Sequence, residues 1–172
     1  MVDYGVKSND NGVVDFTNRN QRRNYVRINN IELHKKMKLN FEFKLHSTPH
    51  WMGLISVADG HDAAGNRLLI GVSKNNINIC LNTHRGNCTS APFNFKMNTW
   101  YNATVTIDNN LITFEIDGKI IKQIRIRSSL DTRWSKSNVL MIGQDQDRKG
   151  GGLDSRQSFR GAVRSLKMYK FD

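Results

Sequence analysis

Three sets of residues in this 172-residue chain have the types and spacing to do chemistry. The first is a concentration of cations. Between Arg19 and Lys44 stand eight basic residues (Arg19, Arg22, Arg23, Arg27, Lys35, Lys36, Lys38 and Lys44) against two acidic ones, Glu32 and Glu42, and this segment holds over half of the net charge of +11. A field of that sign attracts polyanions and speeds their encounter, which points to sulfated glycan, nucleic acid or anionic membrane. A solvated basic surface with no ligand has the same composition. The second set is acidic: Asp145, Asp147 and Asp154 gather around Gly150, Gly151 and Gly152. In a structural turn such side chains accept backbone N–H bonds and offset the nearby Arg148, Lys149, Arg156 and Arg160. The third is the pair Cys80 and Cys88 in CLNTHRGNC. Their spacing suits a disulfide that staples a short hairpin loop or its base, and equally two free thiols on neighbouring strands.

Catalytic patterns are thin. His46 and His50 have an H-x-x-x-H spacing, but Pro49 rules out the helix that would bring both imidazoles to one metal. No Gly-x-Ser-x-Gly string and no phosphate-binding glycine loop with its Lys is present. Glu115 and Asp117 lie two apart, a spacing at which one carboxyl can attack while another donates a proton. Asp117-Gly118 reads as a tight turn, however, and no third acid accompanies the pair. The chain is therefore read as non-enzymatic. No apolar run approaches the roughly 18 residues that a membrane span needs, and MVDYGVKSND lacks the pattern of a secretory signal. These features fit a cytosolic protein or an extracellular module excised with a starter Met. The sequons Asn87-Cys88-Thr89 and Asn102-Ala103-Thr104 matter only in a secreted protein.

The elements that must position these residues are strands. In MKLNFEFKLH, Met37, Leu39, Phe41, Phe43 and Leu45 alternate with Lys38, Asn40, Glu42, Lys44 and His46, so one face is buried and the other wet. Ala103, Val105 and Ile107 share a face, Asp108-Asn109-Asn110 turns the chain, and Ile112, Phe114 and Ile116 share a face on the return. In Ile120–Arg127, Ile124 and Ile126 are expected inward, with Arg125 and Arg127 outward. Lys36, Lys38 and Lys44 point outward along the Met37 strand. Such cations, two strand rises or about 7 Å apart, suit sulfates or carboxylates spaced along a glycan. Shorter candidates are Tyr25–Ile28, Gly53–Val57, Arg67–Val72, Ile77–Leu81, Val139–Ile142 and Val163–Phe171. No window has capped helical periodicity, so about ten or more strands predict an all-β, two-sheet antiparallel sandwich or jelly roll, with residues 1–172 as a single domain.

The order of the pieces adds a resemblance. NFEFKLHSTPHWMGLISV, NRLLIGVSKNNINICL and NTWYNATVTIDNNLITFEIDGK follow one another as they do in the laminin-G-like and pentraxin-like β-sandwiches of the concanavalin A-like lectin/glucanase superfamily, with Trp100 leading a strand and Asp117-Gly118 ending the next. MIGQDQDRKGGGLDSRQSFRGAVRSLKMYKF resembles the pentraxin segment in which a Gly-Gln-acid-Gln-Asp string, a glycine pair, a second acid and Gln-Ser precede the last strand.

The resemblance implies calcium as a cofactor. The side chains of Asp145, Asp147, Asp154 and Gln157 and the Gln146 carbonyl would supply oxygens to this hard cation, and Asn66 of Gly65-Asn66 stands where pentraxins place the Asn of an Asp-Asn pair. Glycines 150–152 let the chain fold back so that Asp154 approaches Asp145 and Asp147. Of Trp51, Trp100 and Trp134, all able to stack on a sugar or base, Trp100 is expected in the core, since a Trp-led strand is typical of this fold. The function implied is an extracellular or cell-surface recognition or adhesion module without enzymatic activity. Its ligand is an acidic glycan, sulfated or sialylated and heparin-like, or an acidic protein surface. It is held by Arg19, Arg22, Arg23, Lys36, Lys38, Lys44, Arg125 and Arg127 with help from calcium. The alternatives are a protein–protein adhesion domain with an incidental basic face and a polysaccharide-cleaving enzyme. Nucleic acid fits the charge but finds no recognition fold or aromatic string.

Overall fold

The computed structural model describes residues 2–4, 7–8, 12–16, 24–47, 51–58, 66–81, 88–125, 138–146 and 153–172, with backbone alone for 2–4, 7–8, 66–67 and 155. Within them the chain forms β1 (Val2–Tyr4), β2 (Lys7–Ser8), β3 (Val14–Asp15), β4 (Tyr25–Ile31), β5 (Lys36–Leu45), β6 (Met52–Ala58) and β7 (Asn66–Ser73). There follow β8 (Asn76–Leu81), β9 (Cys88–Pro92), β10 (Trp100–Asp108), β11 (Leu111–Ile116), β12 (Lys119–Arg125), β13 (Asn138–Ile142), a single 3-10 turn at Ser155–Gln157 and β14 (Gly161–Lys170). Two seven-stranded sheets result: β1-β4-β13-β6-β7-β8-β9 and β12-β11-β10-β5-β14-β3-β2. All the paired strands run antiparallel. The expected sandwich is thus observed.

Alternating side chains build the core between the sheets. From β5 come Met37, Leu39, Phe41, Phe43 and Leu45, from β10 and β11 Val105, Ile107, Ile112 and Phe114, and from the facing sheet Leu54, Val57, Leu68, Ile70, Ile77 and Ile79, all buried in one cluster. Rings of Phe43, Phe93, Phe95 and Tyr101 pack against one another at centroid distances of 4.7 to 6.0 Å, and the Tyr101 hydroxyl accepts the Lys96 N–H at 2.7 Å. An aromatic cluster with its one polar tip satisfied combines large burial with fixed geometry. The β11–β12 hairpin turns on Asp117 and Gly118, both at positive φ (51° and 74°), the backbone of a two-residue type I′ turn. β1, β2, β3 and β9 were not visible as strands in the sequence. Three of them hold only two or three residues, and β9 (CTSAP) is a short sheet-edge segment with a single buried side chain, too little for a period to appear.

The sheets differ on their outer sides. In the first, every residue of β6 and β13 is buried on both faces, and Tyr25, Val139 and Met141 form a second small cluster with Leu153 against them. In the second, exposed and half-exposed positions alternate regularly with the core along β5, β10 and β11.

Candidate functional site: a basic sheet face and an acidic loop

The outer face of the second sheet is built by register. Along β5 the outward residues are Lys36, Lys38, Asn40, Glu42 and Lys44, and opposite them on β10 stand Asp108, Thr106, Thr104, Asn102 and Trp100. On the other side β14 places Tyr169 beside Lys38, Lys167 beside Asn40 and Arg164 beside Glu42. Simple alternation from Arg164 would turn Leu166 and Met168 outward. A bulge between Arg164 and Lys167, with Ser165 at φ 56°, prevents this. One extra residue reverses the parity of everything after it, so Leu166 and Met168 pack on the core and Lys167 and Tyr169 join the cations. Towards the far edge Glu115 pairs with Ile120, Thr113 with Gln123 and Leu111 with Arg125. Ile120 (58% exposed) and Tyr169 (46%) are the exposed large hydrophobic residues among those described, and both lie on this face.

At one end of the face is an aromatic-cation cluster. The Arg164 guanidinium carbon lies 4.2 Å from the Trp100 ring centroid and Lys44 Nζ 5.0 Å from it. Arg164 also donates from Nε (2.9 Å) and Nη2 (2.6 Å) to Glu42 Oε2. The indole quadrupole favours both cations, and Glu42 neutralises one of them. Trp100 is therefore not a core residue as expected. Tyr101 takes the buried position and Trp100 is half-buried on the outer face. The signal was present in the sequence, since the alternation of Ala103, Val105 and Ile107 extended backwards turns Tyr101 in and Trp100 out.

Of the cations singled out in the sequence, Lys36, Lys38 and Lys44 point outward as expected, with Lys38 the most open of the three. They do not form an unbroken row, because Asn40 and Glu42 separate Lys38 from Lys44. Arg125 is exposed at the end of β12, where its Nη1 donates to Asn110 Oδ1 at 3.5 Å. Arg19, Arg22, Arg23 and Arg127 lie outside the described residues, as do His50, Trp134 and Asp147. Sequence reasoning passed over Arg164, Lys167 and Tyr169, which the bulge brings to the same face.

The acidic loop closes the other sheet. Gly53 is the reason it fits: a Cβ there would stand 2.3 Å from the backbone nitrogen of Asp145. Gln146, fully buried, donates from Nε2 to the carbonyls of Ser56 (3.0 Å) and Val139 (2.9 Å). Ser56 Oγ donates to the Gln144 carbonyl at 2.9 Å. Gln144 Nε2 donates to the Asp154 carbonyl at 2.6 Å, and its Oε1 accepts from Ser158 Oγ at 2.6 Å. The backbone at Asp154 is thus held by the residue beside Asp145, while Gly150, Gly151 and Gly152 lie outside the described residues. Asp145 itself is only 8% exposed. The Asp154 carboxylate receives Arg156 through its backbone N (2.9 Å), Nε (3.1 Å to each oxygen) and Nη2 (2.8 Å). The hydrogen bonds from Arg156 hold that carboxyl below the usual carboxylate range.

Among the described residues no three of His, Cys, Asp and Glu are grouped as for a metal. The oxygen-rich chemistry of Asp145, the Gln146 carbonyl, Asp154 and Gln157 nevertheless suits a hard cation. Such an ion would compete with Arg156 for Asp154. Asn66 has its backbone in β7, paired with Ala58.

The remaining sequence candidates resolve simply. Cys80 and Cys88 form a disulfide that joins directly paired residues of β8 and β9. Of the two carboxyls spaced as in a glycosidase, Asp117 Oδ1 accepts the Asn102 N–H at 2.9 Å and so braces its turn. His46 Nδ1 and Asn98 Oδ1 are 2.8 Å apart, and its Nε2 is 3.4 Å from Asp15 Oδ2.

The family model Laminin_G_3 of the concanavalin A-like lectin/glucanases superfamily matches residues 20–171. The chain belongs to this superfamily. Among superfamily-like structures, a heptameric SAP-like pentraxin from Limulus polyphemus superposes with TM-score 0.72 at 16% identity, over 91% of this chain and 74% of its own. The CBM40 of a Ruminococcus gnavus IT-sialidase, bound to α2,3-sialyllactose, gives 0.64 at 12% over 84% and 90%. A family 7 alginate lyase in complex with its product gives 0.62 at 11% over 99% and 85%. At these identities the likeness is one of fold, which binding domains and an enzyme share. A search of curated proteins finds no match. No helix among the described residues is long and apolar enough to cross a membrane.

Proposed function

We propose that this laminin-G-like chain is a non-enzymatic recognition module of an extracellular or cell-surface protein, and that it binds an acidic glycan, sulfated or sialylated, on the outer face of its second sheet. One observation carries the reading: Lys36, Lys38, Lys44, Arg125, Arg164 and Lys167 are collected by register on one open face together with Trp100 and Tyr169. Spaced cations with aromatic neighbours suit a chain of sulfates or carboxylates. Arg19, Arg22, Arg23 and Arg127 extend the positive charge in sequence. The disulfide fits an oxidising compartment, and the sialyllactose-bound relative is one of fold.

Calcium is an accessory in this proposal. Asp145, Gln146, Asp147, Asp154, Gln157 and Asn66 would hold it, and once bound it would present a fixed divalent charge to an anionic ligand.

A glycan array read across a salt series, with and without a chelator, tests the proposal. Binding to sulfated or sialylated chains should fall about tenfold or more between about 0.05 M and about 0.3 M salt, because exposed charges are screened over a shorter distance. Loss on chelation assigns the loop a part. Binding to an acidic protein but to no glycan replaces the ligand class, and turnover of any polysaccharide overturns the non-enzymatic reading.

A further inference from the structure

We propose that Arg164, Lys44 and Trp100 form a discrete subsite for the carboxylate of an acidic sugar, set at one end of the basic face. The inference rests on the glycan-binding reading above and adds to it a specific anchor and a ligand group. Arginine has five N–H donors in a planar fork. Glu42 Oε2 takes the Nε and one Nη2 hydrogen of Arg164, which leaves three, directed from the two terminal nitrogens, without a partner among the described residues. Trp100 lies against that fork, with the guanidinium carbon 4.2 Å from its ring centroid. The side chain reaches the indole diagonally across β5, since Trp100 on β10 is paired with Lys44, whereas Arg164 on β14 is paired with Glu42, two residues away. The β14 residue opposite Lys44, two positions before Arg164, is the small and fully buried Ala162.

Two cations against the ring and Glu42 leave one unit of positive charge beside Trp100, and the next carboxylate in that cross-strand row, Asp15 opposite Ala162, stands 3.4 Å from His46 Nε2. Glu42 and Trp100 fix the guanidinium before any ligand arrives, so little side-chain freedom is lost on binding. A carboxylate is planar and meets the open end of the fork in two parallel bonds, with Lys44 as a second point charge. The group recognised is the same in a sialic acid and in a uronic acid. A neutral sugar offers the fork only uncharged hydroxyl acceptors. A sulfate matches the charge but not the plane. Elsewhere on the face Lys36, Lys38 and Lys167 are point charges, and Arg125, whose Nη1 donates to Asn110 Oδ1, has no ring against it among the described residues, which is why the subsite is assigned here and not along the whole sheet.

The test uses short monovalent probes, titrated calorimetrically against the intact chain: 3′-sialyllactose, a uronic-acid disaccharide, a sulfated lactose and lactose. A long sulfated oligosaccharide is titrated alongside them. At least one carboxylated probe should bind more tightly than lactose by about tenfold. Arg164→Lys keeps the charge and removes the fork, and should weaken that probe about tenfold while changing the long chain about twofold or less. Trp100→Leu should do the same, and thermal unfolding of both variants checks that they are folded. Lys36→Gln/Lys38→Gln should show the reverse pattern. Which carboxylated probe responds distinguishes the sialic from the uronic source. If the long chain binds and Arg164→Lys leaves every short probe unchanged, or if the sulfated lactose alone responds, the subsite is wrong and the basic face stands. If neither long nor short acidic glycans bind, the glycan reading falls and the subsite with it.

Discussion

The acidic loop and the basic sheet face spend their polar groups in opposite ways. In the loop, Gln144, Gln146, Ser56 and Ser158 are consumed by one another and by backbone carbonyls, and Asp154 is held by Arg156. On the face, some side chains pair, as Thr104 with Asn40 at 3.2 Å and Gln123 with Thr113 at 3.2 Å, but Arg164 keeps three donors without a partner among the described residues. At the start of the loop Gln144, Asp145 and Gln146 are all buried, whereas Lys38, Gln123, Arg125, Lys167 and Tyr169 stand in solvent. A polar group already paired inside the fold contributes to stability and has little left for a ligand. One left unpaired at the surface costs little there, because water satisfies it, and can be exchanged for a ligand group. The described part of the loop is therefore built as a clasp, and the face has the open polar groups that the proposed ligand would need.

That contrast can be broken at several points. The largest effect is expected at Gly53→Ala, whose new Cβ meets the Asp145 backbone and not a movable side chain. Urea denaturation should show a loss of about 3 kcal/mol, as for overpacking of a tight core. A stability unchanged by this substitution would show that the loop is free to lift. Gln146→Leu leaves the Ser56 and Val139 carbonyls without their donor and should cost about 2 kcal/mol by the same measurement. On the face, Lys36→Gln/Lys38→Gln/Lys44→Gln should alter stability by less than about 0.5 kcal/mol, yet lower affinity for a long sulfated chain about tenfold and flatten its salt dependence. If the triple variant binds as tightly as the parent, the face is not the site. The smallest effect on stability is expected for Arg156→Gln. By releasing Asp154 from its cation it should raise affinity for calcium, read by terbium luminescence or calorimetry, without a measurable change in the unfolding midpoint. Identical calcium titrations for parent and variant would mean that Asp154 is not a ligand.

Much of the framework was legible from residue order. The strict alternation in MKLNFEFKLH determined both the strand and its outward lysines, and Asp117-Gly118 determined the hairpin turn, because side-chain period and left-handed backbone are local properties. The Cys80–Cys88 bridge stood open in the sequence as one of two alternatives. It was closed by the pairing of β8 with β9, a contact that spacing alone does not decide. Trp100 was misplaced because a strand-leading Trp was weighed above the parity of its own strand. The role of Arg156 was read only as general charge compensation, and its three-point hold on Asp154 emerged from the fold of the loop.

By itself, the sequence determined that the chain is a β-sandwich, which residues of its long strands face the core, and that strong positive charge must lie on the surface, since patterning and composition act residue by residue. Only the tertiary structure decided that Arg164 and Lys167 share a face with Lys38 and Lys44. It also decided that Trp100 has two cations against its ring and that the buried Gln146 locks the start of the acidic loop. Each of these depends on a bulge, a register or a close backbone approach between segments far apart in the chain, and such contacts are set by how strands pair and not by the order of residues within any one of them.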